Sequence, residues 1–171
     1  KIMKKQKICI IGGGLTGLTT AISLAKLNID IDLIIGRNNQ KFKSNRTIGV
    51  SDNNYEFLEK LNIVKSLKTI SWASTVMKLY AEVKNTNFSE IFEINKMKKK
   101  NIMHMISNEK IMQLMMKKIK KIKSISVHKK ENIKKIDSFG SLKSIKIKNN
   151  FFKYNLIIIC TGSNSDLVKN I

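Results

Sequence analysis

The sequence predicts a mixed α/β fold, in which a βαβ unit with a parallel sheet carries a small inserted antiparallel sheet and a later β-meander. Three observations within the 171 residues indicate this. An apolar strand, a glycine-rich turn and an amphipathic helix follow one another over residues 7–27. Alternating patterns typical of paired strands occupy residues 72–94. Short alternating runs joined by a glycine turn fill residues 124–148.

The glycine-rich turn is the stretch around which the chain is organised. The apolar strand Lys7–Ile11 leads directly into Gly-x-Gly-x-x-Gly and a helix. In this context Gly12 allows a sharp turn, Gly14 lets a pyrophosphate approach the backbone, and Gly17 lets the helix pack closely on the sheet. The N–H groups and dipole of the helix start favour phosphate charge. The pattern predicts a dinucleotide site in a Rossmann-like unit; an ordinary glycine-rich turn is the alternative.

The second strand lacks the acidic residue that such units normally carry. Residues 28–35 alternate and then become wholly apolar, as a buried parallel strand does. An acid about 20 residues beyond the glycines usually binds the ribose hydroxyls. That place falls on Gly36, whereas Asp32 comes too early and is expected to lie within the strand. The side chains that could replace the acid are Arg37, Asn38 and Asn39; the alternative is a ribose that is held less tightly.

Two further helices are predicted from capping residues and apolar periodicity. Ser51 is expected to cap a helix that continues to Ile63. Ser107 or Asn108 is expected to cap a helix over residues 109–122. The core positions of this last helix are Ile111, Leu114, Met115, Ile119 and Ile122.

Three expectations concern the rest of the chain. Residues 72–83 and 88–94 are expected to form one antiparallel pair on a separate sheet. Residues 154–160 are apolar enough to lie in the middle of the main sheet. His104 stands alone between methionines, so we assign it a structural role and no catalytic one.

The composition limits the classes of partner. The net charge is +21, but the lysines are spread through the chain and only two of the 33 basic residues are arginines. Arginine is the better residue for bidentate phosphate and base contacts, so the scarcity of arginine argues against nucleic acid as a partner. Cys9 and Cys160 lie in apolar runs without a CxxC partner, which indicates buried reduced thiols and no metal site.

Several segments resemble a known family, the flavin-dependent aromatic hydroxylases with the para-hydroxybenzoate hydroxylase-like fold, and especially the ubiquinone-biosynthesis hydroxylases. Residues 46–51, Arg-Thr-Ile-Gly-Val-Ser, resemble that group's Arg-x-x-Ala-Leu-Ser motif. Residues 105–113 resemble the segment that contributes an Arg or Gln toward the flavin. Residues 160–168 resemble the Asp-Gly-x-x-Ser-x-x-Arg motif, with Thr161 in place of its Asp and Val168 in place of its Arg.

The resemblance implies a set of FAD-binding residues. Arg37 would lie by the adenosine, Arg46 and Gln113 would reach toward the diphosphate or ribityl chain, and Val127 would contact the adenine edge through its backbone. Gly162 belongs to the last motif. The residues that would hold the diphosphate are Gly12, Gly14, Leu15, Thr16 and Gly17. Residues 1–70 and 101–171 would form the FAD-binding domain, and residues 71–100 the inserted strands of a substrate-side sheet.

The resemblance also implies an activity. It points to an FAD-dependent monooxygenase that hydroxylates an aromatic ring, a ubiquinone precursor, with NAD(P)H and oxygen. No side chain is assigned as a catalytic acid, base or nucleophile. Because the chain matches only the first part of the family, the alternative is a non-catalytic nucleotide-binding fragment of a longer or split flavoprotein.

A lysine-rich RNA-binding protein, suggested by charge alone, is the third hypothesis. We expect a cytoplasmic protein, and peripheral docking on the inner face of the membrane is a further hypothesis.

Overall fold

The structure is a computed structural model. Its described residues are 5–36, 46–63, 69–83, 87–95, 101–129, 131, 133, 135–147, 150–162 and 167. The chain divides into two units, which are described separately: residues 1–43 with 112–171, and residues 44–111. None of the described helices is long and apolar enough to cross a membrane.

The described residues contain twelve strands and three α-helices, and a short 3₁₀ turn, Ala25–Leu27, follows the first helix. In chain order these are β1 (Lys7–Ile11), α1 (Leu15–Leu24), β2 (Asp30–Ile35), β3 (Thr47–Ser51), α2 (Asp52–Lys60), β4 (Ser71–Ser74), β5 (Val76–Val83), β6 (Asn87–Asn95), β7 (Met103–Ser107), α3 (Asn108–Ile119), β8 (Ile125–Lys129), β9 (Ile136–Phe139), β10 (Leu142–Ile147), β11 (Asn150–Tyr154) and β12 (Leu156–Ile159).

The first unit contains a parallel sheet with the strand order β12-β1-β2-β8, so the predicted βαβ unit is confirmed. The expectation that the last apolar strand lies in the middle of this sheet is wrong. Among the described strands β12 pairs only with β1, and Leu156 is half exposed. The apolar run over residues 154–160 joins parts of two strands. Tyr154 ends β11 and packs in a different layer, whereas β12 begins at Leu156.

The β-meander β9-β10-β11 covers one face of the parallel sheet. Its turn contains Gly140 at φ +59°, which confirms the predicted hairpin. Ile145 and Tyr154 of the meander are buried in one cluster with Cys9 and Ile34 of the sheet. The contact between the meander and the sheet is stabilised because these side chains remove their apolar surface from water.

Asp32 is a charged residue at this junction and is almost fully buried. Tyr154 Oη donates a hydrogen bond of 2.6 Å to its Oδ2, and Lys7 Nζ lies 2.7 Å from the same oxygen. His128 Nε2 lies 3.4 Å from Oδ1 without a well-aligned hydrogen bond. Burial alone would raise the pKa of Asp32, but the hydrogen bonds and the charge of Lys7 outweigh it and lower that pKa below its usual value. The carboxylate therefore connects β2 to both β1 and the meander.

The second unit contains two antiparallel sheets, β3-β7-β4 and β5-β6. The expectation of a single strand over residues 72–83 is wrong, because this run divides at Thr75. Trp72, in β4, pairs with Met105 of β7, whereas β5 pairs with β6 as expected. At the division Ser74 Oγ donates to the carbonyl oxygen of Val76 at 2.8 Å, a local bond that bends the chain.

The helix caps follow the sequence pattern. Ser51 Oγ accepts a hydrogen bond from the Asn54 N–H, and Ser107 Oγ accepts one from the Lys110 N–H, each at 3.4 Å. Of the two candidates, Ser107 therefore caps α3. Three of the predicted core positions of α3 are buried, namely Ile111, Met115 and Ile119, and the others are partly buried.

His104 is not isolated, contrary to its appearance in the sequence. Its Nε2 lies 3.0 Å from Asp52 Oδ1, and its ring stacks on Tyr55 with centroids 3.7 Å apart. Tyr55 Oη in turn lies 3.4 Å from Ser71 Oγ. These contacts hold α2 against β7 and β4, which is a structural role.

Gly17 lies where α1 passes closest to the end of β1. A Cβ atom at this position would lie 2.0 Å from the carbonyl oxygen of Gly12 and 3.5 Å from Cys160 Cβ. The helix can therefore approach the strand this closely only because position 17 has no side chain.

We predict that Gly17→Ala destabilises the fold by about 1–3 kcal/mol, because the added methyl group overpacks against backbone atoms that cannot rotate away. In an unhindered helix the same change would stabilise by about 1 kcal/mol. Urea denaturation measures the difference. Gly36→Ala is the control, since its Cβ would meet nothing closer than 3.7 Å. Equal urea midpoints for the two variants would contradict the prediction.

We also predict that Tyr154→Phe lowers the free energy of unfolding at pH 7 by about 1.5–3 kcal/mol, because it removes a hydrogen bond to a buried carboxylate. The pKa of Asp32 is lower in the folded chain than its usual 3.8. The contribution of the ionised group is therefore complete above about pH 4 and is lost as the pH falls through the folded pKa.

Denaturation at pH 7 and at pH 3 tests this, with the exposed Tyr80→Phe as the matched control. The deficit of Tyr154→Phe relative to wild type should shrink at the lower pH. A deficit that is the same at both pH values would mean that the hydroxyl does not act through ionised Asp32.

Candidate dinucleotide site

The site begins at the turn from β1 to α1, where the ends of three parallel strands meet. Gly12 has φ +131°, a conformation that side chains rarely adopt, and its N–H donates to the carbonyl oxygen of Ile34 at 2.9 Å. A Cβ on Gly12 would lie 2.3 Å from the carbonyl oxygen of Cys160. Glycine is therefore required here for both conformation and space. In open parallel sheets, ligands bind at this carboxyl edge.

Gly14 leaves an open space directly before α1. It is the N-cap residue, with φ −79° and ψ 179°, and no side chain caps the helix. A Cβ on Gly14 would have no atom within 4 Å. The backbone here is ordinary, so the glycine is not needed for conformation or packing within the described residues.

The donors next to this space are the first N–H groups of α1. The Leu18 N–H donates to the Gly14 carbonyl oxygen at 3.0 Å and begins the helical ladder. The N–H groups of Leu15, Thr16 and Gly17 come before it and have no carbonyl partner within the helix. The first turn also contains no acidic side chain.

These features fit the diphosphate of a dinucleotide. A diphosphate needs backbone donors, a favourable dipole and room to approach the chain, and the turn offers all three. A side chain at position 14 would fill that room. Leu15 is partly buried and Thr16 is exposed, so these two residues contribute their backbone without blocking the space.

The other predicted site residues are distributed over both units. Gly162 is exposed at φ +82°, two residues beyond the Cys160 that adjoins Gly12, and so follows β12 at the same edge. Val127 lies in β8 opposite Leu33 of β2, two strands from β1. Gln113 is exposed on α3.

The two arginines of the predicted site are Arg46 and Arg37. Arg46 belongs to the second unit, where it precedes β3, and its carbonyl oxygen accepts from the Asn108 N–H at 3.0 Å. Arg37 lies outside the described residues, as do Asn38 and Asn39.

The end of β2 carries Gly36 where an acid is usual, and another residue lies beside it. The Glu131 N–H donates to the carbonyl oxygen of Ile35 at 3.3 Å. A Cβ on Gly36 would lie 3.7 Å from the carbonyl oxygen of Glu131. Glu131 is not among the residues that the sequence predicts for the site. It comes to this place through the parallel pairing of β8 with β2, which carries the residues after β8 to the end of β2 and has no local signal in the sequence.

Both thiols near the site have raised pKa values. Burial raises the pKa of Cys9 to about 12, with the charge of Asp32 adding to the effect. Burial also raises the pKa of Cys160. Because the thiolate is the reactive form, neither cysteine is suited to be a nucleophile at neutral pH.

Comparison with solved structures finds the same fold in other proteins. The chain is similar to p-nitrophenol 4-monooxygenase PnpA from Pseudomonas putida DLL-E4, with 12% identity over 95% of this chain and 42% of that one, and a TM-score of 0.75. It is similar to CtdE in complex with FAD and a substrate, with 13% identity over 98% of this chain and 40% of that one, and a TM-score of 0.77.

A third similar structure is the flavin-dependent monooxygenase PieE in complex with FAD and substrate, with 11% identity over 98% of this chain and 32% of that one, and a TM-score of 0.75. At such identities the likeness is one of fold. The chain spans between 32% and 42% of the length of these three proteins. A search of curated proteins finds no match.

A family model adds a comparison at the level of sequence. The model described as "FAD binding domain" matches residues 5–142, which include the glycine turn, the end of β2 and Glu131. This match covers most of the chain and agrees with the open, donor-lined space before α1. The chain belongs to this family of FAD-binding domains.

Proposed function

We propose that this chain is an FAD-dependent monooxygenase that hydroxylates an aromatic ring with NAD(P)H and oxygen. The observation that carries the proposal is the open space at Gly14, bordered by the first N–H groups of α1, in a chain of the FAD-binding family. Similar folds in proteins named as monooxygenases support the reaction class.

We further propose that the aromatic substrate is a ubiquinone precursor. This proposal rests on the resemblance of residues 46–51 and the helix after them to the ubiquinone-biosynthesis hydroxylases. The compound named for the similar PnpA, p-nitrophenol, is also an aromatic ring.

The proposed roles follow from position. Gly14 admits the diphosphate, and the N–H groups of Leu15, Thr16 and Gly17 bind it. Gly12 keeps the start of α1 against the end of β1. FAD, when bound, supplies the redox chemistry that passes one oxygen atom to the ring. The remaining proposed contacts are Gly162 at the same edge, Val127 at the adenine edge, Arg37 at the adenosine, and Arg46 and Gln113 at the diphosphate or ribityl chain.

We also propose that residues 71–100 lie on the substrate side. This segment includes the β5-β6 hairpin, whose side chains Leu79 and Phe92 are 56% and 47% exposed. Exposed apolar groups on a narrow two-stranded sheet suit contact with a hydrophobic substrate or with further protein.

A second candidate function is a partial nucleotide-binding module of a longer or split flavoprotein. The observation that favours it is the coverage of only 32% to 42% of three similar flavoproteins. The two candidates differ in one assay. NADPH oxidation by the purified chain with formation of a hydroxylated product supports the complete enzyme, whereas FAD binding without turnover supports the module.

We predict that the purified chain binds FAD and that Gly14→Ser weakens binding at least tenfold, because the new side chain occupies the space and competes for the helix N–H groups. Fluorescence titration with FAD measures the dissociation constant. Serine is a favoured N-cap residue, so the variant should unfold at the same urea concentration as wild type or slightly above.

The stability measurement serves as the control, since it separates loss of the site from loss of the fold. The proposed role of Gly14 is wrong if a fully folded Gly14→Ser chain binds FAD as wild type does. Absence of FAD binding by the wild-type chain would remove the proposed function itself.

We propose, finally, a cytoplasmic protein that docks on an anionic membrane surface, where a hydrophobic quinone precursor would reside. The net charge of +21 supports this. The chain should sediment with vesicles rich in anionic lipid at low salt and be released at about 1 M salt, where the Debye length falls to roughly 3 Å. Vesicles of neutral lipid are the control. Equal sedimentation with both kinds of vesicle, or none with either, would contradict docking by charge.

A further inference from the structure

The residue that follows β2, where the acid that binds the ribose of a dinucleotide normally lies, is Gly36. Gly36 occupies the end of β2 and has no side chain to offer. Asp32, four residues earlier, is buried and already accepts from Tyr154 and Lys7. A ribose hydroxyl is a polar group that needs an acceptor when it is taken out of water. An acceptor from another strand of the sheet would meet this need.

Glu131 is brought to this place by strand pairing. β8 runs parallel to β2, with Ile35 opposite Lys129, so the residues that follow β8 reach the carboxyl end of β2. The hydrogen bond from the Glu131 N–H to the Ile35 carbonyl oxygen continues the ladder beyond β8. Its carbonyl oxygen lies 3.7 Å from where a Gly36 Cβ would be. The backbone of Glu131 is thus adjacent to the position of the missing acid.

Glu131 also differs from the other acidic residues described in this unit. Asp30 pairs with Lys5, Asp32 with Lys7, and Asp137 with Lys135. Glu131 is partly buried, and its carboxylate makes no hydrogen bond or ion pair with the residues described in the structure. A carboxylate without such a partner keeps its oxygens available to accept hydrogen bonds from a ligand.

We propose that Glu131 accepts hydrogen bonds from the adenosine ribose hydroxyls of FAD, in place of the acid that position 36 lacks. This inference rests on the proposed function. It assigns to a residue after β8 a task that these folds usually give to the end of β2.

The test compares ADP with 2′-deoxy-ADP by isothermal titration calorimetry on the whole chain. Wild type should prefer ADP by roughly tenfold or more, as expected for a hydroxyl bound to a charged acceptor. Glu131→Ala should bind both nucleotides equally, with an affinity near that of wild type for the deoxy compound. Glu131→Gln should retain part of the preference, because an amide oxygen still accepts.

Two further variants sharpen the test. Glu56→Ala removes an acidic side chain that is exposed on α2 in the other unit, so it controls for the change in net charge and should keep the preference. Gly36→Glu in the Glu131→Ala background restores an acid at the usual position and should recover the preference for ADP. Position 36 has room for the added side chain to begin, since a Cβ there meets nothing closer than 3.7 Å.

The outcomes separate this inference from the proposed function. A wild-type chain that binds neither FAD nor ADP overturns both. A wild-type chain that binds FAD, together with a folded Glu131→Ala chain that still prefers ADP over 2′-deoxy-ADP, overturns only the role of Glu131. Loss of the preference in Glu131→Ala and its return with Gly36→Glu support the inference.

Discussion

The close approach of Gly17 to the carbonyl oxygen of Gly12 is the constraint on which the arrangement of the candidate site depends. With only 2.0 Å available for a Cβ atom, the first turn of α1 lies directly against the end of β1. This contact determines where the helix begins and therefore where its first N–H groups lie. The open space at Gly14 follows from the same geometry, because the helix is held in place by the glycines on either side and not by residue 14.

The local parts of the fold could be predicted from the sequence, and the non-local parts could not. The βαβ unit, the caps at Ser51 and Ser107 and the turn at Gly140 depend on residues a few positions apart. The strand order depends on residues far apart. Hydrophobicity predicted that residues 154–160 are buried, but it could not show that Tyr154 belongs to the meander and Leu156 to the end of the sheet.

The candidate site divides in the same way. The diphosphate part could be predicted, because the close packing and the φ of +131° at Gly12 require glycine, and this requirement is seen in the sequence as the glycine pattern. The ribose part could not, since Gly36 interrupts the pattern and Glu131 reaches that place only through the pairing of β8 with β2. The contact between His104 and Asp52 could not be predicted either, because Asp52 lies 52 residues earlier in the chain.

The Asp32–Tyr154 hydrogen bond has a consequence for the order in which the chain is completed during synthesis. The two residues are separated by 122 positions, so the N-terminal βαβ unit emerges from the ribosome long before the hydroxyl that satisfies its buried carboxylate. Until then Lys7 is available as an ionic partner for Asp32, but the hydrogen bond from Tyr154 is missing. The buried cluster that contains Tyr154 can therefore be completed only after residue 154 has been synthesised. The nascent chain exposes apolar strands meanwhile, the situation in which chaperones bind.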